Sequence, residues 1–595
     1  MPYHILRADL SAGTVSRQEV PPELISRFLG GKGLAAHYLA SELPPGTDPL
    51  APENLLIFMT GPLSGLFPGT CRHVVVTKSP ATGGFLDTYA GGYFAWELRK
   101  AGLIGLIISG EAPGLSYLEV TAAGGRIVAC PELAGATIAA TDDDPRFAEY
   151  RVAAIGPAGE NGVALACIGN NSGTSKKGRS GYNGRGGAGA VMGAKHLKCI
   201  AVKGGRGPGL TPQARELRSA LSEKIMAKDS PSFWLADCGT PVIVDWTNGV
   251  NVLPTRNWSA GSFEGAEAIG HEPVIAGLLS REGCFNCPVN CGPHVRATEG
   301  AFPGAEADKL EYETIGLAAS NTGNADFSAI VRFAQVCDLL GLDTISTGAA
   351  VALAMDCAER GLIDSPLRFG DSEGQIALTE DIAYGRGLGA ALGQGIARAA
   401  KAWGIDEALV PVFAVKNLEY PAYDPRGSVG MALAYATSDR GGCHMRSWPI
   451  AVEALSEDKG ADPFGGAGKA AFVAGEQDEN AAEWSLVGCD FIGYTSDDAA
   501  AMLAAVGIEM TADEYLALGR RVWNLVRLFN LKQGWTAADD SMPKGLEIPL
   551  TDSGRSLDPA LFAQMKKEYY EVRGWDAQGR PTAELVRELG LGGYV

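Results

Sequence analysis

The sequence lacks an excess of positive charge, long apolar runs and a dense set of cysteines, and each shortage excludes a class of protein. Fifty Lys and Arg stand against 69 Asp and Glu, a formal net charge of −19 at pH 7. General affinity for nucleic acid or an anionic membrane is therefore not expected, and an anionic ligand must be met by a local basic cluster. No uninterrupted apolar stretch approaches the ~20 residues of a membrane span. The opening Met1-Pro2-Tyr3-His4-Ile5-Leu6-Arg7 has no apolar secretory core, so the expectation is a cytoplasmic chain without membrane insertion. Twelve cysteines in 595 residues are too sparse for a secreted disulfide framework, which leaves free thiols or metal ligands.

Glycine is the residue in surplus. The 79 glycines are about 13% of the chain against a usual ~7%, and predict many tight turns and close approaches to a ligand. At roughly 150 residues per domain the length allows two to four units.

The first 200 or so residues alternate short apolar runs, such as Leu55-Leu56-Ile57-Phe58-Met59 and Val74-Val75-Val76, with Gly and Pro, the pattern of strands. From about residue 212 apolar residues recur at three and four, and Ala-rich stretches near 348–358 and 388–401 favour helix. The expected fold is α+β: a β-rich domain over residues 1–206, then helical domains over 207–415 and 416–595. Residues 91–110 laid over 186–205 match at Gly91/Gly186, Gly92/Gly187, Ala95/Ala190, Lys100/Lys195 and Gly110/Gly205. This pseudo-repeat predicts two related halves whose glycine pairs face each other and open helices, a natural phosphate site.

Several constellations carry chemistry. Cys284-x2-Cys287-x3-Cys291 puts three thiols within eight residues, enough to wrap a [4Fe-4S] cluster whose fourth cysteine lies elsewhere. A zinc site completed by His294, or three core thiols, would use the same residues. The loop Arg440-Gly441-Gly442-Cys443-His444-Met445-Arg446 packs two cations, an imidazole and a thiol beside glycines, and suits a phosphate clamp or a basic surface turn. Glu311-Tyr312-Glu313-Thr314 is an ordinary acidic pair by itself. In Asp338-Leu339-Leu340-Gly341-Leu342-Asp343-Thr344, Gly341 reads as a helix C-cap and Asp343 or Thr344 as the next N-cap. The same two Asp side chains are also suited to hydrogen-bonding a polar ring.

Taken together with Gly30-Gly31-Lys32-Gly33-Leu34, Thr77-Lys78-Ser79-Pro80, Gly184-Arg185-Gly186-Gly187 and the late Asn530-Leu531-Lys532-Gln533-Gly534-Trp535, these motifs resemble, in order and spacing, the aldehyde:ferredoxin oxidoreductases. The resemblance implies a tungsten bis-pterin cofactor, with molybdenum as the alternative metal. The metal is held by pterin dithiolenes on the β-rich base and covered by the helical domains. It also implies a [4Fe-4S] cluster on Cys284, Cys287, Cys291 and Cys489; Cys443, in the Arg/His loop, is the reserve for the fourth ligand. Arg72, Gly91, Gly184 and Arg185 fall on contacts to the cofactor phosphates or their bridging Mg. Asp338, Leu342 and Asp343 fall on one pterin pattern, and Arg440 and Arg446 on contacts from the third domain. Glu313 and His444 fall on the acid–base positions.

The chain departs from the family in places. In the second pterin pattern, Asp-x2-Gly-Leu-Cys, Trp484 holds the Asp position and the glycine is shifted to Gly488, before Cys489. Tyr89 stands where Asn is expected, and Tyr182 precedes Gly184 where small residues are usual, so these tyrosines shape the pocket. The implied reaction oxidises an aldehyde to a carboxylic acid and passes electrons through the cluster to ferredoxin or an iron–sulfur subunit, alone or in a homo- or hetero-oligomer. The rival readings are a thioester-ring (aromatic acyl-CoA) reductase subunit of the same family and an electron-transfer scaffold without the metallopterin.

Overall fold

The computed structural model describes residues 2–170, 180–456 and 461–595. Its N-terminal part is built from β1 (Tyr3–Asp9), β2 (Thr14–Val20), β3 (Leu56–Met59), β4 (His73–Lys78), β5 (Phe85–Ala90), β6 (Gly105–Ser109), β7 (Ser116–Thr121), β8 (Gly124–Ala129), β9 (Arg151–Ala154), β10 (Ile168–Asn170), β11 (Gly181–Asn183) and β12 (Leu197–Lys203). They form two six-stranded sheets, ordered β2-β1-β6-β3-β4-β5 and β8-β7-β12-β9-β10-β11. Each strand of the first sheet thus has its counterpart six strands later. Among the described residues the only parallel pair in each sheet joins the first strand to the last, β1/β6 and β7/β12. A helix feeds that last strand in both, Phe94–Lys100 and Ala188–Ala194. The glycine-pair repeat of the sequence is therefore a repeated folding unit.

The first sheet is covered on both faces, which explains its unbroken apolar runs. Leu56, Phe58, Val75, Leu106 and Ile108 pack with Leu118, Ile168, Ile200 and Val202 of the second sheet. Their neighbours Ile57, Met59, Val74, Val76 and Ile107 pack on the opposite side, against helical residues such as Leu39, Val522 and Phe529. The sheets meet where β5 faces β11. Asn183 Nδ2 donates to Thr88 O at 2.7 Å, and His73 Nε2 donates to Asn183 Oδ1 at 2.9 Å. A Cβ on Gly181 would come within 2.5 Å of Gly91 O, so the two glycine loops lie against each other.

After β12 the helix Pro212–Met226 begins, with Thr211 Oγ1 accepting from Ala214 N–H. The rest is mainly helical, but it holds a sheet that the periodicity did not disclose. Leu278–Glu282, Gly292–Arg296 and Glu306–Asp308 form a three-stranded antiparallel sheet, and the three-cysteine run is the connection between its first two strands. The 415/416 division expected from the sequence falls inside a small hairpin pairing Ala414–Val415 with Leu418–Glu419.

Candidate active site

A cavity of about 280 Å³ opens where the two sheets meet the helical part. Its wall contains Glu313 and His444 together with Arg72, Tyr89, Gly91, Tyr182, Gly184, Arg185, Asp338, Leu342, Asp343, Arg440 and Arg446. Residues spread over most of the sequence thus converge on one space. Gly488 does not line it and packs against Glu483, whose Cγ would lie 2.8 Å from a Cβ at 488. Trp484, Cys489 and Asp490 take its place in the wall.

Glu313 stands in the first turn of the helix Tyr312–Ala318, and His444 opens the short turn His444–Arg446. His444 Nδ1 and Glu313 Oε1 are 3.6 Å apart, and neither atom has a hydrogen-bond partner among the described residues. The other carboxyl oxygen accepts from Ala422 N–H at 2.9 Å. Burial pushes the Glu313 carboxyl up to about 8, against the pull of that N–H and of Arg185. Burial also pulls the His444 imidazole down to about 3, helped by Arg185 and Arg440. At neutral pH the pair carries no charge, and its one titratable proton sits on the carboxyl.

The cations around the cavity are fixed from behind. Arg185 donates to Glu419 O at 2.5 Å and to Gly442 O, and its Nε lies 3.4 Å from Asp343 Oδ2. Arg440 donates to Asp87 O at 2.6 Å and to Cys443 Sγ at 3.0 Å, which leaves its Nε without a partner among the described residues. Arg446 bridges Asp87 and Asp439. Gly184 has open space where a Cβ would stand, so the backbone itself forms the wall there. The turn at 341–343 is stitched to the N-terminal part, with Asp343 N–H donating to Leu165 O and Cys167 N–H to Gly341 O, both at 2.9 Å. Asp343 Oδ1 also caps the helix Thr344–Glu359 through Ile345 N–H at 3.0 Å. Burial, with Asp308 nearby, drives the Asp338 carboxyl well above the usual carboxylate range. A ligand donating N–H groups would relieve that cost.

Cys284, Cys287, Cys291 and Cys489 share a second, smaller cavity with Gly69, Leu235 and Ile492. Asn286 and Asn290, between the cysteines, take left-handed conformations (φ 65° and 50°) that wind the loop around it. Gly92 N–H donates to Cys284 Sγ at 3.3 Å, and a Cβ on Gly91 would lie 2.6 Å from that sulfur. His294 is turned toward Glu306, 3.4 Å away. Among the described residues no three His, Cys, Asp or Glu side chains converge on a single-ion site, whereas a [4Fe-4S] cube takes four separated thiolates. Arg72, Leu235, Cys284, Cys291, Cys489 and Phe491 line both cavities, so the two spaces are adjoining.

Sequence reasoning missed two groups. Lys32 is fully buried and donates to Asp87 Oδ2 at 2.9 Å and to Asp439, and Tyr89 Oη donates to the same Asp87 oxygen at 2.7 Å. Burial pulls the Lys32 ammonium down to about 7 against the attraction of Asp439. This network anchors Arg446 and Tyr89 beneath the cavity and gives the Gly-Gly-Lys-Gly motif a structural task. The second is Asp490, which accepts from Trp484 Nε1 and from Arg72 at 3.1 Å. Only its place directly after Cys489 hinted at it.

The family described as aldehyde ferredoxin oxidoreductase, N-terminal domain, matches residues 5–204, and that described as aldehyde ferredoxin oxidoreductase, domains 2 & 3, matches residues 216–591. The chain is 36% identical over 612 residues to the tungsten-containing aldehyde ferredoxin oxidoreductase of Pyrococcus furiosus, covering 98% of both chains. It is likewise 36% identical over 617 residues to the protein of that name from Thermococcus kodakarensis, covering 99% of both. A relative at 27% identity is the aliphatic sulfonate oxidoreductase, WOR-like subunit, of Pyrococcus furiosus, with 99% of this chain and 96% of that one covered. Among solved structures, the active site complex BamBC of benzoyl coenzyme A reductase with 1,5-dienoyl-CoA shares the fold, with a TM-score of 0.81 at 24% identity over 100% of this chain and 98% of that one. With both of its parts matched and its full length shared with curated relatives, the chain belongs to the aldehyde ferredoxin oxidoreductase family.

Proposed function

We propose that this protein oxidises aldehydes to carboxylic acids at a tungsten–pterin centre in the larger cavity, and releases the electrons through a [4Fe-4S] cluster on Cys284, Cys287, Cys291 and Cys489 to a ferredoxin-type carrier. The observation that carries this reading is the meeting of Glu313 and His444, with unsatisfied facing atoms, in a cavity that adjoins the four cysteines. The curated relatives at 36% identity are tungsten-containing aldehyde ferredoxin oxidoreductases, and the cavity wall suits such a group. Arg72, Arg185, Arg440 and Arg446 would offer positive charge to its phosphates. Gly91 and Gly184 offer bare backbone, and Asp338 and Asp343 offer acceptors for ring N–H groups. When bound, the tungsten centre supplies the two-electron acceptor that side chains cannot provide.

The oxidation RCHO + H2O → RCOOH + 2H⁺ + 2e⁻ needs a residue that receives a proton from water. Glu313, at about 8, is a far stronger acceptor than His444, at about 3. Glu313 is therefore the base in its ionised form, and neutral His444 orients the aldehyde or the water by hydrogen bonding. Turnover limited by this step rises about tenfold per pH unit toward about pH 8 and levels off above it. Steady-state oxidation of aldehydes with a viologen dye, followed against pH, checks this. A profile flat between pH 6 and pH 9 would take the base role away from Glu313.

Asp343 gives a second test. As a helix cap alone, its loss in Asp343→Ala costs about 0.5–2 kcal/mol of stability and leaves cofactor content intact. As a pterin contact as well, it takes tungsten and pterin with it, out of proportion to the fall in thermal midpoint. The second outcome is expected, and full tungsten and pterin in the purified variant would leave only the cap.

A further inference from the structure

We propose that Asp490 supplies the carboxylate that holds the second pterin ring, carried at the tip of the Trp484 indole. This rests on the tungsten–pterin reading above. Two helices end at the cavity in the same turn. Phe327–Leu340 stops at Gly341, left-handed at φ 81°, and Leu342 N–H donates back to Cys337 O at 2.9 Å. Lys469–Leu486 stops at Val487, left-handed at φ 60°, and Gly488 N–H donates back to Glu483 O at 3.1 Å. A left-handed residue with this six-to-one bond is the Schellman termination. It makes Asp338 equivalent to Trp484, and Asp343 equivalent to Cys489.

All four of these side chains line the cavity. At the first turn both are carboxylates, and at the second neither is. The second turn keeps its shape even though β-branched Val487 is strained in a left-handed conformation. Its shape is thus held while its acceptor at position 484 is lost.

A carboxylate lies next to the loss. Asp490 lines the same cavity, with one oxygen accepting from Trp484 Nε1 and the other from Arg72 at 3.1 Å. An ionised carboxylate has about four acceptor positions, so these contacts leave capacity for ring N–H donors. Glu483, the other acid of the turn, is packed against Gly488 and does not line the cavity. Each turn therefore brings a carboxylate to the one cavity, Asp338 on the first and Asp490, hydrogen-bonded to the Trp484 indole, beside the second.

The test is the pterin, tungsten and iron content of anaerobically purified Asp490→Asn, which keeps the size of the side chain and an acceptor for Trp484. We expect iron as in the wild type, with the pterin-to-tungsten ratio halved or tungsten lost. Adding Trp484→Asp to that variant is expected to restore pterin. An unchanged pterin-to-tungsten ratio overturns the proposal. So does a parallel fall of iron and pterin, the result expected if Asp490 serves only Arg72 on the cysteine side. A wild-type protein free of pterin overturns the parent reading as well, which separates the two failures. Should the variants be insoluble, the electron density of wild-type holoenzyme decides. A pterin nitrogen about 2.7–3.2 Å from the Asp490 carboxylate supports the assignment, and a carboxylate touching only Trp484, Arg72 or water overturns it.

Discussion

Replacing Glu313 by Gln is expected to lower aldehyde turnover by at least about a hundredfold, the lower range for positioned acid–base assistance, while tungsten, pterin and iron stay in place. The substitution keeps the shape of the side chain and an oxygen for Ala422 N–H, and removes the group that burial holds at about 8. The imidazole 3.6 Å away, held at about 3, is a far weaker proton acceptor than the carboxylate it would have to replace. The variant should also lose the rise of turnover toward pH 8. His444→Asn should cost about as much, through orientation instead of proton uptake, and should leave that rise in place. Because the two side chains face one space, the double variant should lose less than the product of the single losses. Near-normal turnover in both single variants, with cofactors verified, would remove the pair from the mechanism.

Removing Cys489 is expected to strip or destabilise the iron–sulfur cluster. The three-cysteine loop supplies Cys284, Cys287 and Cys291, and of the nine other cysteines Cys489 is the one that lines the same small cavity. A cube held by three thiolates exposes one iron and becomes labile. Cys489→Ala should therefore lose most of its iron and the visible absorption of the cluster, whereas Cys443→Ala should keep both. Cys443 is buried away from that cavity and accepts a hydrogen bond from Arg440. Full iron and an unchanged spectrum in Cys489→Ala would move the fourth ligand elsewhere.

How much of this was legible depends on whether a feature is local. The two-sheet base was readable because each half repeats a glycine pair, a helix and an apolar strand within twenty residues. The 341–344 turn was readable because Gly and Asp cap helices by their own chemistry. The sheet Leu278–Asp308 was not, since Leu-Leu-Ser-Arg-Glu and Gly-Pro-His-Val-Arg have few β-branched residues, and it is pairing between strands that stabilises them. Family resemblance picked out residues that line the cavity, but not their electrostatic arrangement. Lys32 reaches Asp439 from 407 residues away and Arg72 reaches Asp490 from 418, so no window of sequence shows either pair. Nor does composition reveal that Val487 keeps the left-handed turn where the first pattern has Gly341. What looked in the sequence like a broken motif is an intact turn with a carboxylate, Asp490, hydrogen-bonded beside it.

The most direct test of the whole account is the metal content of the wild-type protein purified under strictly anaerobic conditions. A tungsten–pterin enzyme with one cube predicts about one tungsten and about four iron per chain. Iron at that level with neither tungsten nor molybdenum would contradict the account and leave an electron-transfer scaffold in its place.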